Sequence, residues 1–269
     1  MGRLFAVVVS VITLVSAAIF AVHVWWLPPD ISTHGSWIDR QLNETMVTAG
    51  ILFVAAQLAL AGFVWRSGVR AGALARPIKT FPGGVTPMVV IATVLVGIEI
   101  LALTLVGSKV WADVYQTPAA PGAMQVEVLA EQFAFYFRYA GPDGKFGATH
   151  ADLMSDATQN FFGLDPANDT TARDDIVVGS LVIPVDQPIE LRMHAKDVGH
   201  SFYVPELRIQ QDFVPGMVIP LHFTATKPGK YELVCTQLCG LGHYNMRAYV
   251  EVKSQADFAQ WLKEQGPSL

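Results

Sequence analysis

The stretch "VCTQLCGLGHYNM", Val234 to Met246, holds both cysteines of the chain, a histidine and a methionine. The pattern Cys235-x3-Cys239-x3-His243-x2-Met246 follows a strand-like run. Its spacing suits a loop that folds back until four side chains converge, and Gly240 and Gly242 permit the tight path. Thiolate, imidazole and thioether together select copper over hard cations such as magnesium or calcium. Three other chemistries stand beside that one. A pair of cysteines outside the cytoplasm is usually a disulfide, a Cys/Cys/His set can hold zinc, and Cys-x3-Cys also occurs in thiol copper carriers. A disulfide leaves His243 and Met246 unexplained, and zinc has little use for a thioether.

Upstream, "KDVGHSFYVPELRIQQDFVPGM" places His200 just before a strand, with a polar turn and Pro205 after it. A β-sandwich would bring a fifth ligand beside the cysteine loop from that position. The remaining histidines, His23, His34, His150, His194 and His222, read as surface or internally satisfied groups.

The elements that must position these residues fall into two parts. Three apolar runs, about 4–26, 47–65 and 86–108, approach or exceed the roughly 20 residues that cross a hydrocarbon core. Trp25 and Trp26 suit an interfacial belt, and Ser16-Ala17-Ala18 also permits a reading of the first run as a cleaved signal peptide. Arg3 precedes the first run, and Arg66, Arg70, Arg76 and Lys79 separate the second from the third, so both positions are expected on the cytoplasmic side. Residues 1–111 are then a multi-pass anchor in a bacterial-type plasma membrane, in contact with lipid, and everything beyond them lies outside the cytoplasm. Glu99 sits in the middle of the third run, where a carboxyl costs too much to face lipid. It should point at a partner or a polar cavity, for a proton path or for a hydrogen bond between helices.

Residues 1–111 carry seven Lys/Arg against four Asp/Glu, and residues 112–269 carry eleven against nineteen. The acidic outer part excludes nucleic acid as a partner. It suits a basic protein steered in by charge, or ordinary solubility. Short aromatic and β-branched runs at 126–129, 133–139, 176–183, 189–195, 218–225, 231–234 and 246–252 predict strands, with turns at Gly141-Pro142-Asp143-Gly144, Asp186-Gln187-Pro188 and Lys227-Pro228-Gly229. Such strands favour a sandwich. Residues 148–175 are expected to form a surface loop inserted between strands, and 256–264 a closing helix capped by Ser254 in a tail of 254–269.

With "DVGHSF", "DFVPGM", "CTQLCGLGHYNM" and, more weakly, "EQFAFYFRY" in place, residues 112–253 and the membrane hairpin before them resemble subunit II of the haem-copper cytochrome c oxidases. The resemblance implies a membrane-anchored all-β protein whose outer domain is a cupredoxin-like Greek-key β-sandwich carrying a dinuclear CuA centre of two copper ions. It implies that Cys235 and Cys239 bridge the coppers, that His200 and His243 ligate one each, that Met246 is a weak axial ligand, and that Gln237 supplies its backbone carbonyl. Two shared thiolates let one electron spread over both metals, which answers why a second cysteine is present when a mononuclear blue site needs one.

Departures from the family pattern limit what carries over. Many relatives have Glu at the position of Gln237, joining a magnesium site shared with subunit I; Gln237 lacks that charge. Relatives place a Trp, regarded as the point where electrons come in, at the position of Phe133; here Phe133 and Phe135 are the aromatics available. Three membrane helices exceed the common two. Asp197 and Asp212 are candidates for orienting a ligand or docking a basic donor.

The expected activity is that of a non-catalytic electron-transfer subunit of an oxidoreductase complex. It would accept electrons, from cytochrome c or another donor, and pass them to haem in subunit I, the catalytic subunit that reduces oxygen. A CuA subunit of a nitric oxide reductase and a copper-delivery protein are the alternatives.

Overall fold

The structure, a computed structural model, describes residues 2–22, 27–68 and 86–267. Trp25, Trp26, His23, Arg70, Arg76 and Lys79 lie outside the described residues. The chain divides into two compact units, one built on the long helices and one on the β-strands.

Among the described residues three helices are long and apolar enough to cross a membrane: α1 (Gly2–Val22), α2 (Gly35–Gly68) and α3 (Thr86–Tyr115). At 34 residues α2 is about 50 Å long, well beyond a hydrocarbon core of about 30 Å. It begins far ahead of the predicted start at 47, because the polar turns from Asp39 to Glu44 are helical too, with Arg40 and Glu44 paired at i,i+4. Arg3 lies 5.3 Å from the centre of the Trp65 ring, joining the start of α1 to the end of α2. Gln41 of α2 donates to the Leu103 carbonyl of α3 at 3.1 Å. Gly107 leaves room for that amide, since a Cβ there would stand 2.6 Å from Gln41 Nε2. Glu99 is half-buried one turn from Leu103 on the same stripe of α3.

The second unit is a sandwich of two five-stranded sheets. One has the order β3-β2-β1-β5-β8, from β1 (Met124–Glu131), β2 (Ala134–Tyr139), β3 (Ile176–Val178), β5 (Pro188–Ala195) and β8 (Ile219–Thr224). The other is β4-β10-β9-β6-β7, from β4 (Leu181–Pro184), β6 (His200–Val204), β7 (Ile209–Phe213), β9 (Gly229–Val234) and β10 (Arg247–Lys253). Alternate residues of each strand meet in the middle: Val126, Val128 and Ala130 of β1, Phe135 and Phe137 of β2, Phe202 and Val204 of β6, Val250 and Val252 of β10. The sandwich expected from the strand pattern is therefore present. The run 176–183 is nevertheless two strands in different sheets, because the chain crosses over at Gly179-Ser180 so that β3 pairs with β2 and β4 with β10. The turn expected after His200 is a single 3-10 turn at Pro205–Leu207, and a strand, β7, follows at once.

Leu27–Ser36 belongs to the sandwich unit although it connects α1 to α2. Ile31 is buried in the core, its N–H donates to the Glu206 carbonyl at 3.0 Å and its carbonyl accepts from Thr226 N–H at 2.7 Å. Lys227 Nζ donates to the Asp30 carbonyl at 2.6 Å, and Arg208 to that of Pro28 at 2.6 Å. This strap bridges Ser32 to Ala225, just beyond β8, and so covers an edge strand whose main-chain groups would otherwise be open.

Residues 148–175 do more than loop through solvent. Phe162, Leu164 and Ala172 pack with Leu129 on the outer face of the first sheet, and Phe161 stacks on Tyr136 with ring centres 3.6 Å apart. Arg138, with no exposed surface, pairs with Glu127 at 3.4 Å and Asp175 at 3.3 Å and donates to the Gly147 carbonyl. Helix α4 (Gln255–Glu264) closes the unit with Ser254 as N-cap, its hydroxyl accepting from Asp257 N–H at 3.1 Å. Trp261 of α4 meets Tyr139 edge-on.

Candidate metal centre

Two distant segments build the site. β6 starts at His200, and antiparallel pairing of β6 with β9 brings Tyr203 opposite Val234, so His200 comes beside the cysteine that follows. Beyond Cys235 the chain folds through a 3-10 turn, His243–Asn245, and returns as β10. The loop is closed by Cys235 N–H to the Met246 carbonyl at 3.1 Å, and tightened by His243 N–H to Gly240 and Asn245 N–H to Gly242. Gly240 adopts φ +134, a conformation costly for other residues. Gly242 is needed for space: a Cβ there would stand 2.5 Å from Phe133 Cδ2, because the Phe133 ring lies directly on the loop.

The two thiols are free and buried, 3.9 Å apart between sulfurs, nearly twice a disulfide bond length. His200 Nδ1 is 4.0 Å from Cys235 Sγ, and His243 Nδ1 is 3.5 Å from Cys239 Sγ. Met246 is buried with its Sδ 3.7 Å from Cys239 Sγ, and the Gln237 carbonyl oxygen lies 3.2 Å from Cys235 Sγ. His200, Cys235 and Cys239 offer ligand atoms that all lie within 4.8 Å of one another. Two sulfurs and two imidazoles alone would equally serve zinc. The thioether aimed at Cys239 and the carbonyl at Cys235 are the additional donors that fit copper better.

Charge is distributed unevenly. Burial opposes ionisation of Cys235, but hydrogen bonding from His200 and the main chain of Ser201 and Gln237 outweighs it and brings the thiol down to about 6. Cys239 is pushed up to about 11 by burial and by the neighbouring Cys235. Burial likewise resists charging His200, yet Cys235 and Asp197 prevail and raise its pKa. A metal binding both thiolates must therefore displace a proton from Cys239.

Asp197 supports the site from behind. Its Oδ1 meets His200 Nε2 at 2.8 Å, leaving Nδ1 toward the sulfurs. Asp197 also accepts from the main-chain N–H groups of Gln132 and Val198, each at 2.7 Å. The Gln132 amide donates to the Cys239 carbonyl, tying the β1–β2 turn to the ligand loop. Gln132 carries no signal in the sequence that singles it out; only its place before Phe133 hints at the contact. Among the other candidates, Phe133 rests on the loop and is half-exposed, whereas Phe135 is buried against Phe213 in the core and presents nothing to a donor. Asp212 is an exposed residue of β7 opposite Ser201, and Glu99 belongs to the helical unit.

The pattern of the cytochrome c oxidase subunit II periplasmic domain matches residues 160–253. The alternative cytochrome c oxidase subunit 2 of Bradyrhizobium diazoefficiens is 33% identical over 243 residues, covering 90% of this chain and 84% of that one. The cytochrome c oxidase subunit 2 of Cereibacter sphaeroides is 27% identical over 176 residues, covering 62% and 58%. Among solved structures, the periplasmic domain of subunit II of the Bradyrhizobium japonicum cytochrome oxidase aligns with a TM-score of 0.39 at 24% identity, over 55% of this chain and 94% of that one.

Proposed function

The chain belongs to the cytochrome c oxidase subunit II family, and on that premise we propose that it accepts electrons from a donor such as cytochrome c at a dinuclear copper centre and passes them to haem in the catalytic subunit for oxygen reduction. Membership implies an oxidoreductase complex, association with a catalytic subunit, and an outer domain anchored by membrane helices. The bacterial plasma membrane is the membrane that suits the basic residues around α1 and α2.

The observation that carries the reading is the convergence of six donors from two segments, with both thiols free. Two copper ions bound there would share one electron between them and take it up with little change of geometry. The residues of the chain supply the conditions for this. Cys235, Cys239, His200 and His243 would hold the ions, with Met246 and the Gln237 carbonyl as further donors. Asp197 fixes the ring orientation of His200, and the Gln132–Cys239 and Cys235–Met246 hydrogen bonds keep the loop from adjusting when the charge changes. Burial of Cys235, Cys239, His200 and Met246 excludes water from the sulfurs. With all donors directed inward, the arrangement has the features of a relay and none of a substrate pocket. Gln237 supplies no carboxylate for magnesium.

Copper analysis and electron paramagnetic resonance of the full-length chain test the reading. Two coppers per chain sharing one unpaired electron are expected; one copper, or zinc with no resonance after copper-replete growth, overturns it.

A further inference from the structure

The first two long helices lie side by side at one depth. Arg3, at the start of α1, stands over the ring of Trp65 near the end of α2. At the opposite end Phe20 and Ala21 of α1 line a groove together with Val47 and Gly50 of α2. The described part of the first apolar run, 4–22, is therefore level from end to end with the second, 47–65. Each measures about 28 Å, which matches a hydrocarbon core of about 30 Å. These two runs mark the edges of the core. Arg3 and Arg66 then fall at its inner edge, and Arg40 and Glu44 lie outside it.

Helix α3 is set at another depth. The Gln41 amide donates to the Leu103 carbonyl and lies against Gly107. Consecutive spans run in opposite directions, so Glu99, four residues before Leu103 and eight before Gly107, is level with residues 45–49 of α2. That is the outer end of the second run. Placing the core around the middle of the third run instead would sink Arg40 and Glu44 into hydrocarbon, with side chains 70% and 60% exposed. Immersing charged side chains costs more than leaving Ile100, Leu101, Leu105 and Val106 in and above the headgroup layer, about 5–8 Å deep. We propose that Glu99, central in its own apolar run, is held at the outer edge of the membrane as a proton-exchange site open to the outer aqueous phase. Its half-buried side chain shares the face of α3 that meets the polar turns of α2, where Thr45 and Gln41 stand. Any proton that Glu99 takes up or gives exchanges with the outside and not with the cytoplasm.

The full-length chain in sealed vesicles, with its outer domain facing the medium, provides the test. A water-soluble carbodiimide and an amine are added outside, and the modified peptides are read by mass spectrometry. Labelling of Glu99 within about tenfold of that of Glu44 is expected, since both stand at the wet edge of the core. Labelling of Glu44 without Glu99 overturns the proposal. Two lysine variants check the depth without relying on access to the carboxyl. Val94 and Leu101 are 53% and 58% exposed and nearly equidistant from the middle of the third run, yet the proposed depth puts Val94 inside the core and Leu101 beyond it. Val94→Lys should lower the amount of membrane-inserted chain at least about threefold, and Leu101→Lys should leave it nearly unchanged. A Val94→Lys variant no worse than Leu101→Lys returns Glu99 to the middle of the membrane and likewise overturns the proposal.

Discussion

From Val234 to Met246 there is no Lys, Arg, Asp or Glu, whereas residues 148–175 contain six Asp and one Arg. The ligand loop is held by main-chain hydrogen bonds, by the Gln132 amide and by the Phe133 ring, and it turns its apolar side chains to solvent. The insertion does the reverse. Its aromatic residues go inward, and its acids are consumed by caps and anchors: Asp169 accepts from Thr171 N–H, Asp156 pairs with Lys196, and Asp175 pairs with buried Arg138. Net charge counted over a domain therefore says little about the face a partner meets. Here several acids secure an insertion, and the ligand loop itself carries none.

Changes in the two regions should have separable consequences. The largest effect is expected from Cys235→Ser or Cys239→Ser, which should abolish copper retention in metal analysis while leaving the circular dichroism of the outer domain unchanged; a variant that still holds one copper would contradict a shared dinuclear site. Arg138→Met leaves Asp175 buried without its cation and Glu127 with Arg192 alone, and should lower unfolding free energy by about 3–5 kcal/mol. Folded Arg138→Met protein should still take up both coppers. If it does not, the insertion and the loop are not independent.

The strap provides an intermediate case. Ile31→Ala should cost about 2–4 kcal/mol by emptying a core position, and the midpoint of thermal unfolding reads it directly. Gly242→Ala drives a methyl group against the Phe133 ring and should cost about 1–3 kcal/mol. Combining it with Phe133→Ala should recover most of that loss; purely additive costs would show that the ring does not hold the loop.

The smallest expected effect is a pair of opposed pH slopes from the insertion. Burial pushes Asp175 up to about 6, against the pull of Arg138, so the folded state binds the extra proton and stability falls as pH rises from about 4 to 6. Asp169 is held down to about 2 by its bonds to Thr171 and Ala148. Its contribution is complete above about 4 and is lost as pH falls toward 2. Asp175→Asn should remove the first slope and Asp169→Asn the second, in denaturation midpoints taken across that range.

Much of this was legible in the chain itself. The seven strand-like runs are all strands in whole or part, because alternation of apolar and polar residues survives any arrangement that buries one face. The split of 176–183 was not legible, since Gly179-Ser180 interrupts the run too briefly to announce a crossing between sheets. Of the aromatic pair, Phe133 and Phe135, periodicity could not say which was exposed; the β1–β2 turn decided it by putting Phe133 outside and Phe135 against Phe213.

The sequence by itself determined the donor chemistry and the membrane spans, because a Cys-x3-Cys-x3-His-x2-Met spacing and a long apolar run each act over neighbouring residues. Only the tertiary structure decided that Gln132 and Phe133 lock the ligand loop, and that Ile31 completes a core built some 100 to 200 residues further along the chain. Those contacts join segments with no shared local pattern. They arise when strand pairing brings the turns of two sheets to one end, and that pairing is a property of the whole fold.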